Sequence, residues 1–237
     1  MRFYLPMTFR LPVLAAAAAL VLSGCSTTTT GLARPAAPPP LATEESLTTM
    51  LLPAEEVGAA LGSEQLAVSR EVGAPWDDSA YFGGDETGCL PIAGAAQQAV
   101  YDGSGWTALR GQVLREPPTA PGWSHFAVQA VVLFPTAAAA TDFYTRSASG
   151  WAGCANREMT YDQQLAPDQL WTVGPVSTEA DVLAVSRSQR SPQQWFCQRA
   201  LSVRSNVAVD VEACSADGPT TAAAAMARAI GDRLPTP

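Results

Sequence analysis

The chain has 237 residues, enough for one domain with a sizeable core, and its formal net charge is −8. All 14 basic residues are arginines, and losing Arg2 and Arg10 with an N-terminal signal takes −8 to −10. A surface of that sign repels phosphate backbones, so nucleic acid is excluded as a partner.

Arg2 and Arg10 form a positive n-region, and residues 11–22, LPVLAAAAALVL, form an apolar run of 12. A spanning helix needs about 20 residues, so this run reads as an export signal rather than a membrane anchor. Leu22-Ser23-Gly24-Cys25 follows at once and resembles the bacterial lipobox. That signal implies transfer of a diacylglycerol to the Cys25 thiol, cleavage before Cys25 and acylation of the new amine. Two or three acyl chains anchor a protein stably where one does not. The expected organisation is a signal peptide at 1–24, a lipidated cysteine with a Thr/Pro-rich linker at 25–43, and a folded domain at 44–237. The linker STTTTGLARPAAPPPLAT lacks an apolar period, and polyproline geometry at about 3.1 Å per residue lets it reach roughly 55 Å.

In SLTTMLLPAEEVGAALG the spacing predicts one or two short helices, the second opened by Pro53 and closed by Gly62. A strand is expected over 65–72. Residues 73–88 form a turn-rich loop whose acids, Asp77, Asp78, Asp85 and Glu86, lack EF-hand spacing and read as solvated. A short helical segment follows Cys89-Leu90-Pro91. The runs 106–116 and 123–134 alternate as antiparallel strands. The second sets Phe126, Val128, Ala130 and Val132 on one face and His125, Gln129 and Val131 on the other. A helix capped by Thr136 carries the stripe Ala140, Phe143, Tyr144, Ser147, Trp151 and Cys154. Strands are expected at 157–161, 170–173 and 182–188. Pro219 opens a last helix with the stripe Ala223, Met226, Ala227, Ile230 and Leu234.

Residues 195–214, WFCQRALSVRSNVAVDVEAC, read as a hairpin turning at Ser205-Asn206. That turn sets Arg204 opposite Val207 and, further out, Cys197 opposite Cys214 in a non-hydrogen-bonded pair with Cα atoms about 4.5 Å apart. A disulfide accepts roughly 4.4–6.8 Å. The register also puts Arg199 beside Glu212 on the cysteine face, and Phe196, Ala200, Val207, Val209, Val211 and Ala213 on the other, expected to be the core side. Of five cysteines, the lipobox takes one, leaving four for two disulfides in an exported protein. Three connectivities exist; the hairpin favours Cys197–Cys214 and so leaves Cys89–Cys154. Zinc is disfavoured by the lack of a CxxC pair and the single histidine, His125. The fold class is α+β, a single antiparallel sheet with helices packed on it.

No HExxH, P-loop, nucleophile-elbow or dinucleotide fingerprint is present, so no cofactor is expected and the chain is read as a non-enzyme. Aromatic and amide groups gather where the 101–106 turn meets the first two long strands. Tyr101, Ser104, Trp106, Gln112, His125 and Gln129, with Asn206 at the hairpin tip, are the expected ligand-binding set.

At Cys89, the 101–106 turn, Gln112, the 128–135 strand, Phe143, Trp151, Cys154 and the run RALSVRSNVAVDVEAC, the chain resembles a known family. It is similar to the PknH-like extracellular sensor domains, found outside a mycobacterial receptor Ser/Thr kinase and in lipoproteins carrying the domain alone. The resemblance spans residues 47–234. It implies two disulfides in the pairing above, an antiparallel sheet with helices, and a cleft for an unidentified small ligand. The lipobox stands here in place of the kinase form's membrane helix, so any signalling needs a protein partner. The reading is a lipid-anchored extracytoplasmic sensor-like domain that binds a small molecule or envelope component. The alternatives are an envelope-acting hydrolase using His125, or a structural lipoprotein without ligand. Rings around a polar cleft favour binding, whereas a His–carboxylate pair within about 3 Å favours catalysis. For the anchor the expected outcome is direct: Cys25→Ala abolishes acylation and moves the protein out of the membrane fraction, whereas unchanged partitioning refutes the lipobox.

Overall fold

Capping and periodicity account for most of the elements. The computed structural model describes residues 40–82, 88–117, 124–163, 165–192 and 194–234. The signal, Cys25 and the linker up to residue 39 lie outside the described residues, as do Asp85, Glu86 and Trp123. Helix α1 (Leu47–Met50) precedes α2 (Ala54–Leu61), which Pro53 opens and Gly62 closes with φ of 80°. That left-handed value suits glycine. Strand β1 is Ala67–Val72, and the expected 89–100 helix is two short ones, α3 (Leu90–Ala93) and α4 (Gln98–Tyr101). Next come β2 (Ala108–Arg115), β3 (His125–Leu133) and α5 (Ala137–Ala152), whose Thr136 cap accepts a bond from Ala139 N at 3.1 Å. Four strands follow, β4 (Glu158–Tyr161), β5 (Gln169–Glu179), β6 (Val182–Gln189) and β7 (Phe196–Arg204), with β5 longer than its alternation predicted. Strand β8 is Val207–Ser215, and α6 (Ala222–Asp232) starts three residues after Pro219.

All pairings are antiparallel, in the order β1-β2-β3-β8-β7-β6-β5-β4. Two meanders, β1 to β3 and β4 to β8, are joined by α5 and meet at a seam where β8 pairs β3. The hairpin register is the one the turn dictates: Arg204 opposes Val207, Arg199 opposes Glu212 and Cys197 opposes Cys214. Cys197–Cys214 and Cys89–Cys154 are both disulfide-bonded, with Cα separations of 4.0 and 5.7 Å.

The expectation of one buried face is corrected here, because every residue of β8 is buried. One face, with Ala200, Val207, Val209, Val211 and Ala213, packs under α1, α2 and α6. The cysteine face, with Leu201, Ala208, Ala130 and Val132, packs under α3, α4 and α5. Two-sided burial also changes the expected charge pairing. Arg199 pairs diagonally with Asp210 at 2.5 Å, and Glu212 is taken by Arg187.

The hairpin tip is tied to the start of the folded region. Asn206 Oδ1 accepts from Ala42 N at 2.9 Å, and its Nδ2 donates to Ala42 O and Phe134 O at 3.1 and 3.0 Å. The side chain is buried and satisfies three backbone groups that have no water to turn to. Leaving buried polar groups unsatisfied costs about 1–3 kcal/mol each. Asn206→Ala is therefore expected to lower the unfolding free energy by at least about 2 kcal/mol, measured by urea denaturation of the oxidised protein. A change inside experimental error would refute the clamp.

Candidate functional site

Strand parity puts every second residue of the sheet on the cysteine face. Toward the Cys197–Cys214 end of that face, among the described residues, no long helix lies over the sheet, and the floor lines a cleft. Its centre is Val128 on β3, Glu212 and Cys214 on β8 and Cys197 on β7. Arg187 and Gln189 on β6, Gln169 and Trp171 on β5 and Tyr161 on β4 continue it to one side. Val113 on β2 and Arg70 on β1 complete it, so all eight strands contribute. The opposite wall is formed by Trp76, Asp77, Asp78 and Phe82 together with Leu90, Ala93, Gly94 and Gln97. Together they enclose a cleft of about 1110 Å³.

The wall is fixed to the floor by backbone and by charge. Trp76 N donates to Ala96 O at 3.0 Å, and Gln98 N donates to Trp76 O at 2.7 Å. Asp78 Oδ2 accepts from Trp76 Nε1 at 3.0 Å and from Gln97 Nε2 at 2.7 Å. Below, Arg187 Nη1 donates to Ile92 O at 2.7 Å and Arg199 Nη2 to Pro91 O at 3.2 Å. Asp210 Oδ2 accepts from Ala96 N at 2.8 Å and from the Tyr101 hydroxyl at 2.9 Å. Two guanidiniums lie over indoles bordering the cleft, Arg70 over Trp76 at 5.3 Å and Arg187 over Trp171 at 5.0 Å. Tyr161 stacks on Tyr81 with centroids 4.9 Å apart. Burial, then the charge of Asp78, Tyr81 and Glu212, holds the Tyr161 phenol above its ordinary range, so it stays protonated and can donate.

The expected ligand set is not assembled in this cleft. Tyr101 is fully buried, stacked on Phe143, with its hydroxyl on Asp210, and burial followed by the Asp210 charge keeps it protonated. Ser104 borders a separate hollow of about 250 Å³, and Trp106 is half-buried against the same core as Phe134. Gln112, His125 and Gln129 lie on the other face of the sheet, as their parity requires. There Gln129 Nε2 donates to Leu52 O at 2.8 Å and to Gln112 Oε1 at 2.9 Å, while its Oε1 accepts from Leu52 N at 2.9 Å. Asn206 is the clamp described above. These amides hold backbone in place. The cleft draws instead on the loop read as solvated: Asp77 is exposed as expected, but Trp76, Asp78 and Phe82 line the wall. Its legible signal was the pair of aromatic side chains, Trp76 and Phe82, within a Pro- and Gly-rich stretch.

His125 sits between carboxylates. Its Nδ1 lies 2.7 Å from Glu116 Oε1 and its Nε2 3.4 Å from Asp217 Oδ2. Glu116 also accepts from the Ser63 hydroxyl at 2.7 Å and from Ser124 N at 2.6 Å. The cluster joins the ends of β2 and β3 to the turn after α2, on the face away from the cleft.

The family model for PknH-like extracellular domains matches residues 42–233. Serine/threonine-protein kinase PknH of Mycobacterium bovis is 35% identical over 170 residues, 72% of this chain and 28% of the kinase. The same kinase of Mycobacterium tuberculosis is 35% identical over 72% of this chain and 26% of its own length. The chain thus spans about a quarter of these relatives. The crystal structure of the extracellular domain of PknH from Mycobacterium tuberculosis superposes with a TM-score of 0.72 at 33% identity, covering 82% of this chain and 97% of that one.

The Glu116 cluster carries a pH dependence. Burial works to raise the Glu116 pKa, but bonds from Ser124, His125 and Ser63 outweigh it and hold the carboxyl at about 2, against an ordinary value of 4.5. A depressed folded-state value stabilises the fold above the unfolded pKa, and that contribution is lost as pH falls from about 4.5 through about 2. The expected outcome is a urea midpoint gap between wild type and Glu116→Gln that is wide at pH 6 and closes toward pH 2. A gap independent of pH would contradict the assignment.

Proposed function

The chain belongs to the family of PknH-like extracellular domains, and on that footing we propose that it is a lipid-anchored sensor-type module whose sheet cleft binds a small molecule or envelope component. The extracytoplasmic setting follows from the family, and two disulfides suit an oxidising compartment. The anchor rests on the Leu22-Ser23-Gly24-Cys25 signal. Among the described residues no helix is long and apolar enough to cross a membrane. The observation that carries the binding reading is the cleft itself. Sites for small molecules are concave, mostly apolar and equipped with a few convergent polar groups, with volumes of roughly 300–1,000 Å³. This one is concave, carries such groups and at about 1110 Å³ lies just above that range, and the arginines of two buried ion pairs in the sheet hold its wall.

His125 supports binding over catalysis. Its pairing with Glu116 is the feature that would favour a hydrolase, yet both ring nitrogens face carboxylates and the cluster lies on the opposite side of the sheet. In this reading any signal passes to a protein partner.

Native mass spectrometry of the protein isolated from its own host is expected to show a non-covalent bound species. Ala93→Trp, which fills the cleft from its half-buried rim, is expected to remove that species while leaving the melting temperature within a few degrees. No bound species on the wild type, or the same added mass at the same occupancy on both proteins, after exposure to a host envelope extract, would overturn the binding reading.

A further inference from the structure

Building on the cleft reading above, we propose that the occupant is a neutral oligosaccharide, seated with its sugar faces on the indole and phenol rings and its hydroxyls on the glutamine side chains. Charge is the first discriminator. The lining holds Arg70 and Arg187 against Asp77, Asp78 and Glu212. Arg187 and Glu212 neutralise each other, and Asp78 is engaged by the Trp76 indole and the Gln97 amide. These neutral donors leave the Asp78 charge in place, so the lining carries two cations and three carboxylates, with Arg70 and Asp77 exposed at the mouth. An anionic headgroup would meet a lining whose carboxylates outnumber its cations. A cationic ligand would approach the indoles beside Arg70 and Arg187, whose charge repels it but not a neutral molecule. The lining favours a molecule with no net charge.

The polar groups exclude a purely apolar one. Gln163, Gln169 and Gln189 border the cleft together with Tyr161, and an acyl chain would strip them of water without replacing its hydrogen bonds. A primary amide both donates and accepts, as vicinal hydroxyls do. Gln169 uses its carbonyl on Trp171 Nε1 at 3.2 Å, which leaves its NH₂ to donate. Gln189 likewise accepts from the Ser191 hydroxyl with its carbonyl at 3.4 Å.

The rings supply the other half of sugar chemistry. A pyranose or furanose has a flat face of C–H bonds that packs on an aromatic surface, with hydroxyls at its edge. Trp76, Tyr161 and Trp171 are each part-exposed in the cleft, and each has its plane set by a stacked neighbour. Rings held in place before binding lose little freedom when the ligand arrives. Size then chooses between a single sugar and a chain. At about 1110 Å³ the cleft exceeds the usual range for one small molecule, roughly 300–1,000 Å³, so it accommodates several rings in line.

The test uses the oxidised full-length chain on an array of neutral, uronic and sulfated oligosaccharides, with lysophosphatidylglycerol titrated in parallel. Retention on neutral oligosaccharides that strengthens with chain length is the expected result. Trp171→Ala is expected to weaken it at least tenfold, and Gln169→Leu several-fold with an unchanged melting temperature, while Val68→Ala on the outer strand binds as wild type. Binding confined to acidic sugars, or to lysophosphatidylglycerol, with the same loss in Trp171→Ala overturns the neutral-glycan assignment and leaves the cleft reading standing. Binding that Trp171→Ala and Gln169→Leu both leave intact overturns the assignment of this cleft. Silence of both probe sets, together with an unoccupied native mass, overturns both.

Discussion

The buried ion pair between Arg199 and Asp210 is the constraint on which the cysteine face depends. Both side chains are about 2% exposed, and they lie on the paired central strands β7 and β8. A charge buried in this way is costly unless most of its remaining hydrogen-bonding capacity is also met, and of the guanidinium nitrogens only Arg199 Nε has no hydrogen-bond partner. Here Arg199 also donates to the carbonyls of Val211 and Pro91 and lies 5.3 Å over the Trp151 ring, while Asp210 accepts from Ala96 N and Tyr101. Apart from the bond to Val211 O, which stays within the sheet, each of these contacts reaches a segment that would otherwise only pack on it. Removing one partner of such a pair typically costs 3–5 kcal/mol, since the other charge is stranded. The pair therefore fixes where α3, α4 and α5 sit.

That placement produces the cleft. The apolar half of the cysteine face, around Leu201, Ala208 and Val132, is filled by Phe134, Phe143 and Trp151. The other half carries Arg187, Glu212 and the two cysteines, which aliphatic side chains cannot cover without leaving charge unpaired. The chain meets this by standing residues 76–82 and 90–97 off the sheet, with Arg187 and Arg199 pinned to the carbonyls of residues 92 and 91. The Cys89–Cys154 disulfide ties the chain just before the second stretch to the end of α5. A concave surface between a rigid floor and a cross-linked wall is the consequence. On the opposite face Gln129 and Asn206 bond to the backbone of Leu52 and Ala42 and hold the covering segments against the sheet.

Much of the fold was legible because it is local. Strand alternation, the Thr136 cap, the Pro53 and Gly62 boundaries and the Ser205-Asn206 turn each depend on residues a few positions apart. The turn also fixed the Cys197–Cys214 register, and elimination gave Cys89–Cys154. The site was not legible in the same way. Tyr101, Gln112, His125, Gln129 and Asn206 are the residue types of a binding surface, but buried amides serve equally well as backbone clamps. Alternation told which residues share a face; it did not tell which face would stay open.

The sequence by itself determined an exported, disulfide-bonded α+β chain with one antiparallel sheet, since those properties follow from composition, cysteine parity and short-range periodicity. Only the tertiary structure decided that β8 is buried on both sides and that Arg199 takes Asp210 while Arg187 takes Glu212. It alone brought Trp76, Tyr161 and Trp171 around one cleft. The physical reason is that these relations depend on the sheet order. That order places β1 and β4 at opposite edges and lets β8 close on β3, and it is set by the summed burial of both faces rather than by any local signal.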